Sequence, residues 1–211
     1  MVPLAVTQIP EGVLARWLFT HFVSGMSMVN GLHIRPRSLA RFAQPTAELW
    51  PEVGFPGDLD ALIFTPEFED EAVAIEFKRI KVKPKAWTTR LPNRMNELEH
   101  GVSQANALRK IGFHRSFLAV IIAVDGSERQ DVNVFGRVIS GKLLADIHGF
   151  EAQAKLDDSV GLAFIEVTQL GPESFSFNGT VSVYVKRPAK GVDQPAFVTE
   201  RLRRLFAGTE S

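Results

Sequence analysis

Residues 57–64 read GDLDALIF, and residues 72–82 read AVAIEFKRIKV. Each is a short apolar run with charged residues at alternate positions. Side chains on a strand alternate faces with period two, so Asp58 and Asp60 share one face, and so do Glu76 and Lys78 while Phe77 faces away. Pairing of the two strands brings up to three carboxylates and one ammonium to one edge of a sheet. Hard oxygen ligands beside a lysine suit a divalent cation and a phosphate ester. Stability does not account for such a cluster. An exposed Lys–carboxylate pair contributes about 0–1 kcal/mol, and adjacent carboxylates repel unless a cation or proton compensates. The competing reading is a half-exposed strand that happens to alternate charged and apolar residues.

Working outward, the connection at 67–71 (EFEDE) is acidic. From Lys78 to Arg94 the chain carries Lys78, Arg79, Lys81, Lys83, Lys85, Arg90 and Arg94 and no acidic residue. Such a segment can follow a phosphate backbone. Its ordinary alternative is a solvated strand end and loop. Net charge over all 211 residues is zero, which argues against a broad electrostatic footprint for nucleic acid but not against a local one.

Apolar residues make up 45% and charged residues 23% of the chain, the usage of an ordinary globular protein long enough to bury a sizeable core. One domain is expected at this length. The absence of cysteine excludes disulfides, thiolate catalysis and zinc–cysteine sites. No signal-peptide pattern and no run of 18 apolar residues is evident, so no membrane association is expected and a cytoplasmic location follows by default.

Around the two strands, Glu11 to Val23 has Leu14, Trp17, Leu18 and Phe22 at helical spacing after Pro10. Gly25 to Gly31 breaks that pattern. Leu32 to Ile34 reads as a short strand, and Ser38 to Phe42 and Thr46 to Trp50 as no more than helical turns. A helix is predicted over 93–111, with Met95, Leu98, Val102, Ala105 and Leu108 in one stripe and Gly112 as its C-terminal stop. Phe117 to Val124 (FLAVIIAV) is the pattern of a strand covered on both faces, closed by a turn at Asp125-Gly126. A helix over 138–148, a strand over 162–168, a hairpin from Phe175 to Val185 about Asn178-Gly179, and a last helix over 197–206 complete the chain. The order predicts an α/β fold with a mixed sheet and a helical crossover between parallel strands.

This order and these residues resemble the PD-(D/E)XK nuclease superfamily, which has the restriction-endonuclease-like fold. Its motif is an aspartate at the start of one strand and Glu/Asp-x-Lys on the next. Asp60 before Ala61-Leu62-Ile63 matches the first half, with Asp58 at a position that is also often acidic. Glu76-Phe77-Lys78 after Val73-Ala74-Ile75 matches the second. Many members carry a glutamine on the following helix, where Gln104 stands, and a glutamate on the first helix. Glu11 is the better candidate for the latter and Glu48 the alternative. The resemblance covers residues 10–125, a nuclease-like core with a mixed central sheet flanked by helices. Residues 133–211 match nothing in it and read as a C-terminal α/β elaboration.

The resemblance implies a Mg²⁺- or Mn²⁺-dependent endodeoxyribonuclease. Asp60, Glu76 and the backbone carbonyl of Phe77 would hold the metal, with Glu11 contributing through a water. Lys78 would position the nucleophile or stabilise the transition state, and Gln104 would orient Lys78, the water or a phosphate oxygen. Arg79, Lys81, Lys83, Lys85, Arg90 and Arg94 would track the nucleic acid, expected to be DNA. Analogy with relatives that cut two strands adds a homodimer to the expectations. The alternative function is a catalytically silent nucleic-acid- or protein-binding module of the same fold. For single residues the alternatives are plain: Gln104 as a polar residue at a helix rim, Glu11 as a first-turn residue favoured by the helix dipole, and Asp58 as a loop residue bonded to nearby backbone. His100 and His114 read as structural or solvated rather than catalytic, and His33 and His148 show no partner spacing.

Overall fold

The computed structural model describes residues 5–45, 49–51, 57–86, 95–128, 139–170 and 179–207. Its centre is a six-stranded sheet in which spatial order follows chain order. The strands are β1 (Leu39–Pro45), β2 (Asp58–Phe64), β3 (Val73–Val82), β4 (Arg115–Gly126), β5 (Gly161–Leu170) and β6 (Gly179–Arg187). β1, β2 and β3 run antiparallel in turn, β3, β4 and β5 are parallel, and β6 is antiparallel to β5. The helices are α1 (Glu11–Thr20), α2 (Phe22–Gly31), α3 (Met95–Ile111), α4 (Gly141–His148) and α5 (Ala196–Phe206). The chain is therefore mixed α/β, and its C-terminal part extends the same sheet by two strands.

β4 explains the layering. It pairs along its length with β3 and β5, and Phe117 to Val124 are all buried. Period-two alternation divides them between two cores. Phe117, Ala119, Ile121 and Ala123 pack with Leu14, Leu18 and Met28 of α1 and α2. Leu118, Val120, Ile122 and Val124 pack with Leu98 and Val102 of α3 and Leu143 and Ile147 of α4. A third cluster joins Leu62, Phe64 and Ala74 to Leu108 and Ile111 of α3 and to Val198, Leu202 and Phe206 of α5. Leu98, Val102, Ala105 and Leu108 of α3 follow the predicted stripe, the Met95 side chain lies outside the described residues, and Gly112 ends the helix with a φ of +99°, a left-handed conformation that costs glycine little.

Several expectations fail, each for a tertiary reason. The first helix stops at Thr20, His21 is extended, and a second helix runs through Gly25 and Gly31. Those glycines serve close approach. A Cβ on Gly25 would lie 2.8 Å from the Phe19 carbonyl oxygen, and one on Gly31 would lie 2.6 Å from a Val183 methyl on β6. Leu32 to Ile34 is a turn, with His33 at φ +51°. The Arg115 guanidinium holds it by donating to the Leu32 and His33 carbonyls at 3.1 and 2.9 Å. Residues 39–45 form edge strand β1, in register Leu39↔Phe64 to Pro45↔Asp58, in place of the expected helical turns. A half-exposed edge carries no clean alternation, and a terminal proline is tolerated there. Residues 46–48, which include Glu48, lie outside the described residues, as do residues 171–178, which hold most of the expected Asn178-Gly179 hairpin. β6 itself forms, with β5 as its partner. Among the described residues, no helix is long and apolar enough to cross a membrane.

Candidate active site

β2 and β3 pair only from Ala61↔Ile75 to Ile63↔Val73. Beyond Ile75 the ladder opens, and backbone N–H groups on that side of β3 need other acceptors. Carboxylates supply them. Asp60 Oδ2 accepts the Phe77 N–H at 2.7 Å. The Glu11 carboxylate, from the first turn of α1, accepts the Arg79 N–H. The opening between two strands is thus lined by acidic side chains that also complete the strand's hydrogen bonding.

On β3, Glu76 and Lys78 interrupt the apolar row that faces α3, between Ala74 on one side and Ile80 and Val82 on the other. Phe77 points the opposite way and meets Phe19 edge to face at 6.4 Å. Glu76 is 1% exposed and the Lys78 side chain 13%. Lys78 Nζ donates to Glu76 Oε1 and, at 2.9 Å, to the Phe77 carbonyl oxygen. The other Glu76 oxygen, Oε2, is buried and has no hydrogen-bond donor among the described residues. The Asp60 carboxyl lies beside that of Glu76, and the two can meet only by sharing a proton or a cation.

The electrostatics follow from that crowding. Burial first, and then the Asp60 charge, push the Glu76 carboxyl up to about 8. Burial also raises Asp60 and Glu11, against the Phe77 N–H and Lys78 in the first case and chiefly against Lys78 in the second. Burial alone would lower Lys78, but Glu76, Asp60 and Glu11 together outweigh it and hold the ammonium charged. Three carboxyls share one lysine, with Arg79 acting on Glu11 from the α1 side. Such a site takes up protons or cations at neutral pH.

The structure therefore brings Asp60, Glu76, Lys78 and Glu11 together, with the Phe77 carbonyl among them. Asp58 is exposed at the start of β2. Gln104 is buried on α3, its Nε2 3.5 Å from the place a Cβ on Gly57 would take, so it faces the start of β2. Arg79 is 8% exposed and faces the α1 side, Lys81 is half-buried and Lys83 exposed. The Lys85 side chain, Arg90 and Arg94 lie outside the described residues.

One residue of the site escapes sequence reasoning. Gly101 of α3 sits on Lys78: a Cβ there would lie 2.5 Å from Lys78 Cγ and 3.1 Å from Leu118 Cδ1. The only signal is a glycine inside an otherwise good helix, three residues before Gln104, at a cost of about 1 kcal/mol relative to alanine.

The donor set can be tested against a metal. Among the described residues no three His, Asp or Glu side chains are arranged around a common metal position. Mg²⁺ does not need three, because one or two carboxylates with waters and substrate phosphate oxygens complete its octahedron. Asp60, Glu76 with its unmet Oε2, and the Phe77 carbonyl are hard oxygen donors that fit it. The chain matches no protein-family model, no curated protein and no solved structure.

Proposed function

We propose that this protein is a divalent-metal-dependent nuclease that hydrolyses phosphodiester bonds in DNA, with the fold and chemistry of the PD-(D/E)XK superfamily. The observation that carries the reading is the cluster of buried Glu76 with half-buried Asp60 and Lys78 at the opening between β2 and β3, with Glu11 beside it. The element order supports it: helices, three antiparallel strands, a helix, then a fourth strand parallel to the third.

Asp60, Glu76 and the Phe77 carbonyl would hold Mg²⁺ or Mn²⁺, and Glu11 would reach it through a water. The cation supplies Lewis-acid activation of water and neutralises charge that develops on the phosphate. The protein's own part is electrostatic and positional. Asp60 and Glu76 are fixed by β2 and β3, so the acidic groups cost no reorganisation when the phosphate arrives. Lys78 places a charged ammonium beside them and lowers the energy of the extra negative charge formed as water adds to phosphorus. The P–O bond then breaks, and the leaving oxygen takes up a proton. Gln104, on α3 and facing the start of β2, would orient a phosphate oxygen or a water. Lys81, further along β3, and Lys83, just beyond it, would contribute positive charge toward a nucleic-acid backbone.

The test is nicking of supercoiled plasmid with Mg²⁺ or Mn²⁺, beside Lys78→Ala and an EDTA control. Metal-dependent nicking by the wild type that the variant lacks supports the proposal. No cleavage of any DNA or RNA substrate across a broad panel refutes it. In that event, salt-sensitive and EDTA-indifferent DNA binding would identify the catalytically silent binding module instead.

A further inference from the structure

Lys78 stands on atoms that a metal would need. Its Nζ donates to Glu76 Oε1 and, at 2.9 Å, to the Phe77 carbonyl oxygen. The Phe77 carbonyl and the Glu76 carboxylate, of which Oε1 is one oxygen, both belong to the donor set given above to the divalent cation. An ammonium is a compact, strongly hydrated point charge that seeks the same hard oxygens.

We infer that Lys78 is a tethered cation that closes the metal position in the metal-free protein, so that lysine and divalent metal compete for the Glu76 carboxylate and the Phe77 carbonyl. The inference rests on the metal-dependent reading. Two cations on one carboxylate repel strongly where water is largely excluded. Metal entry therefore requires the ammonium to swing away from both oxygens, toward the space where substrate phosphate would lie. The same movement converts the lysine from a plug into a group that faces the substrate.

Gly101 makes the closed position available. The lysine stem lies against the backbone of α3, and a Cβ on Gly101 would stand 2.5 Å from Lys78 Cγ and 3.2 Å from Cε. These are stem atoms rather than the free end of the side chain, so the stem itself would have to move. Leu118 Cδ1, 3.1 Å from the same point, closes the other side. Alanine at position 101 would lift Lys78 off its two oxygens while leaving Asp60 and Glu76 in place.

The experiment is calorimetric titration of Mn²⁺, without nucleic acid, into wild type, Lys78→Met, Gly101→Ala and Glu76→Gln at constant pH. Removing a competitor that makes two charge-assisted hydrogen bonds is expected to tighten Mn²⁺ binding by on the order of tenfold in Lys78→Met. Gly101→Ala, which keeps the ammonium, is expected to tighten it by a smaller factor, and Glu76→Gln to lose binding. Equal or weaker binding by Lys78→Met, with Glu76→Gln still losing it, overturns the competition and leaves the metal-dependent reading standing. No binding by either wild type or Lys78→Met at millimolar Mn²⁺ overturns both. A second measurement needs no variant. Acylation of Lys78 in the wild type by acetic anhydride, followed by mass spectrometry, is expected to accelerate when Mn²⁺ is added, and an unchanged or slower rate overturns the inference.

Discussion

Replacing Glu76 by glutamine is expected to make the metal-free protein more stable, by a margin that opens above about pH 4.5 and is largest at alkaline pH. Glu76 is 1% exposed and its carboxyl is raised from 4.5 to about 8, first by burial and then by Asp60. A raised carboxyl means that the folded protein binds more protons than the unfolded chain between those two values. Stability is then fully present below about 4.5 and is lost as pH rises toward 8. The loss accrues at about 1.4 kcal/mol per pH unit, so the interval from 4.5 to about 8 amounts to at most about 5 kcal/mol by pH 8.5, and about 3 kcal/mol at pH 7. Glutamine fills the same volume and carries no proton to lose. Wild type and Glu76→Gln should therefore have similar stability near pH 4.5 and diverge above it, with the variant ahead. Asp60 and Glu11 are raised too and slope in the same direction, so the informative quantity is the difference between the two proteins. Thermal melting in EDTA from pH 4.5 to 9 reads it directly, since each kcal/mol moves the midpoint by about 2–4 °C for a chain of this size. Parallel profiles would refute the argument, because Glu76 would then ionise as easily folded as unfolded. Mn²⁺ added at pH 8.5 should raise the wild-type midpoint and leave that of Glu76→Gln unchanged.

Other perturbations test neighbouring parts of the account. Asp60→Ala removes the acceptor of the Phe77 N–H and should cost about 1–3 kcal/mol in urea unfolding, while Asp60→Asn, which keeps an acceptor oxygen, should cost less. Ile121→Ala empties the centre of β4, where Ile121 is fully buried against the α1–α2 layer, and should cost about 2–5 kcal/mol by the same method. Gly31→Val should destabilise by crowding Val183, and a compensating Val183→Ala in the same chain should recover part of that loss.

What is legible in the sequence is whatever imposes a period or a run. β4 is visible because burial on both faces demands eight apolar residues in succession. Asp60, Glu76 and Lys78 stand out because strand alternation by itself fixes which side chains share a face. α3 is visible by its stripe. Three things cannot be read locally. β1 is defined by its partner β2 and has only one side paired, so its composition is that of any surface segment. Gly25, Gly31 and Gly101 look like helix breakers, yet each marks a close approach by a group distant in sequence or across a helix corner. The opening of the β2–β3 ladder, where Asp60 and Glu11 accept from β3, has no local signal because Glu11 reaches β3 from α1, far away in the chain. For the same reason Arg79, which sequence alone groups with the basic run, is buried against the α1 side.

The ends of the chain are tied to the sheet by two glutamines. Gln169 on β5 is buried and accepts the Val6 N–H at 2.8 Å. Gln194 accepts the Ala72 N–H and donates to the Glu69 carbonyl, fixing the turn that delivers β3 and hence Glu76. Contacts that span so much of the chain give a high contact order, and folding must close long loops before these bonds form. During synthesis, the turn just upstream of β3 stays without this clamp until residue 194 has left the ribosome. A fragment ending near residue 125 would keep Glu11, Asp60, Glu76 and Lys78 but lose the Gln194 tether on the turn that leads into β3.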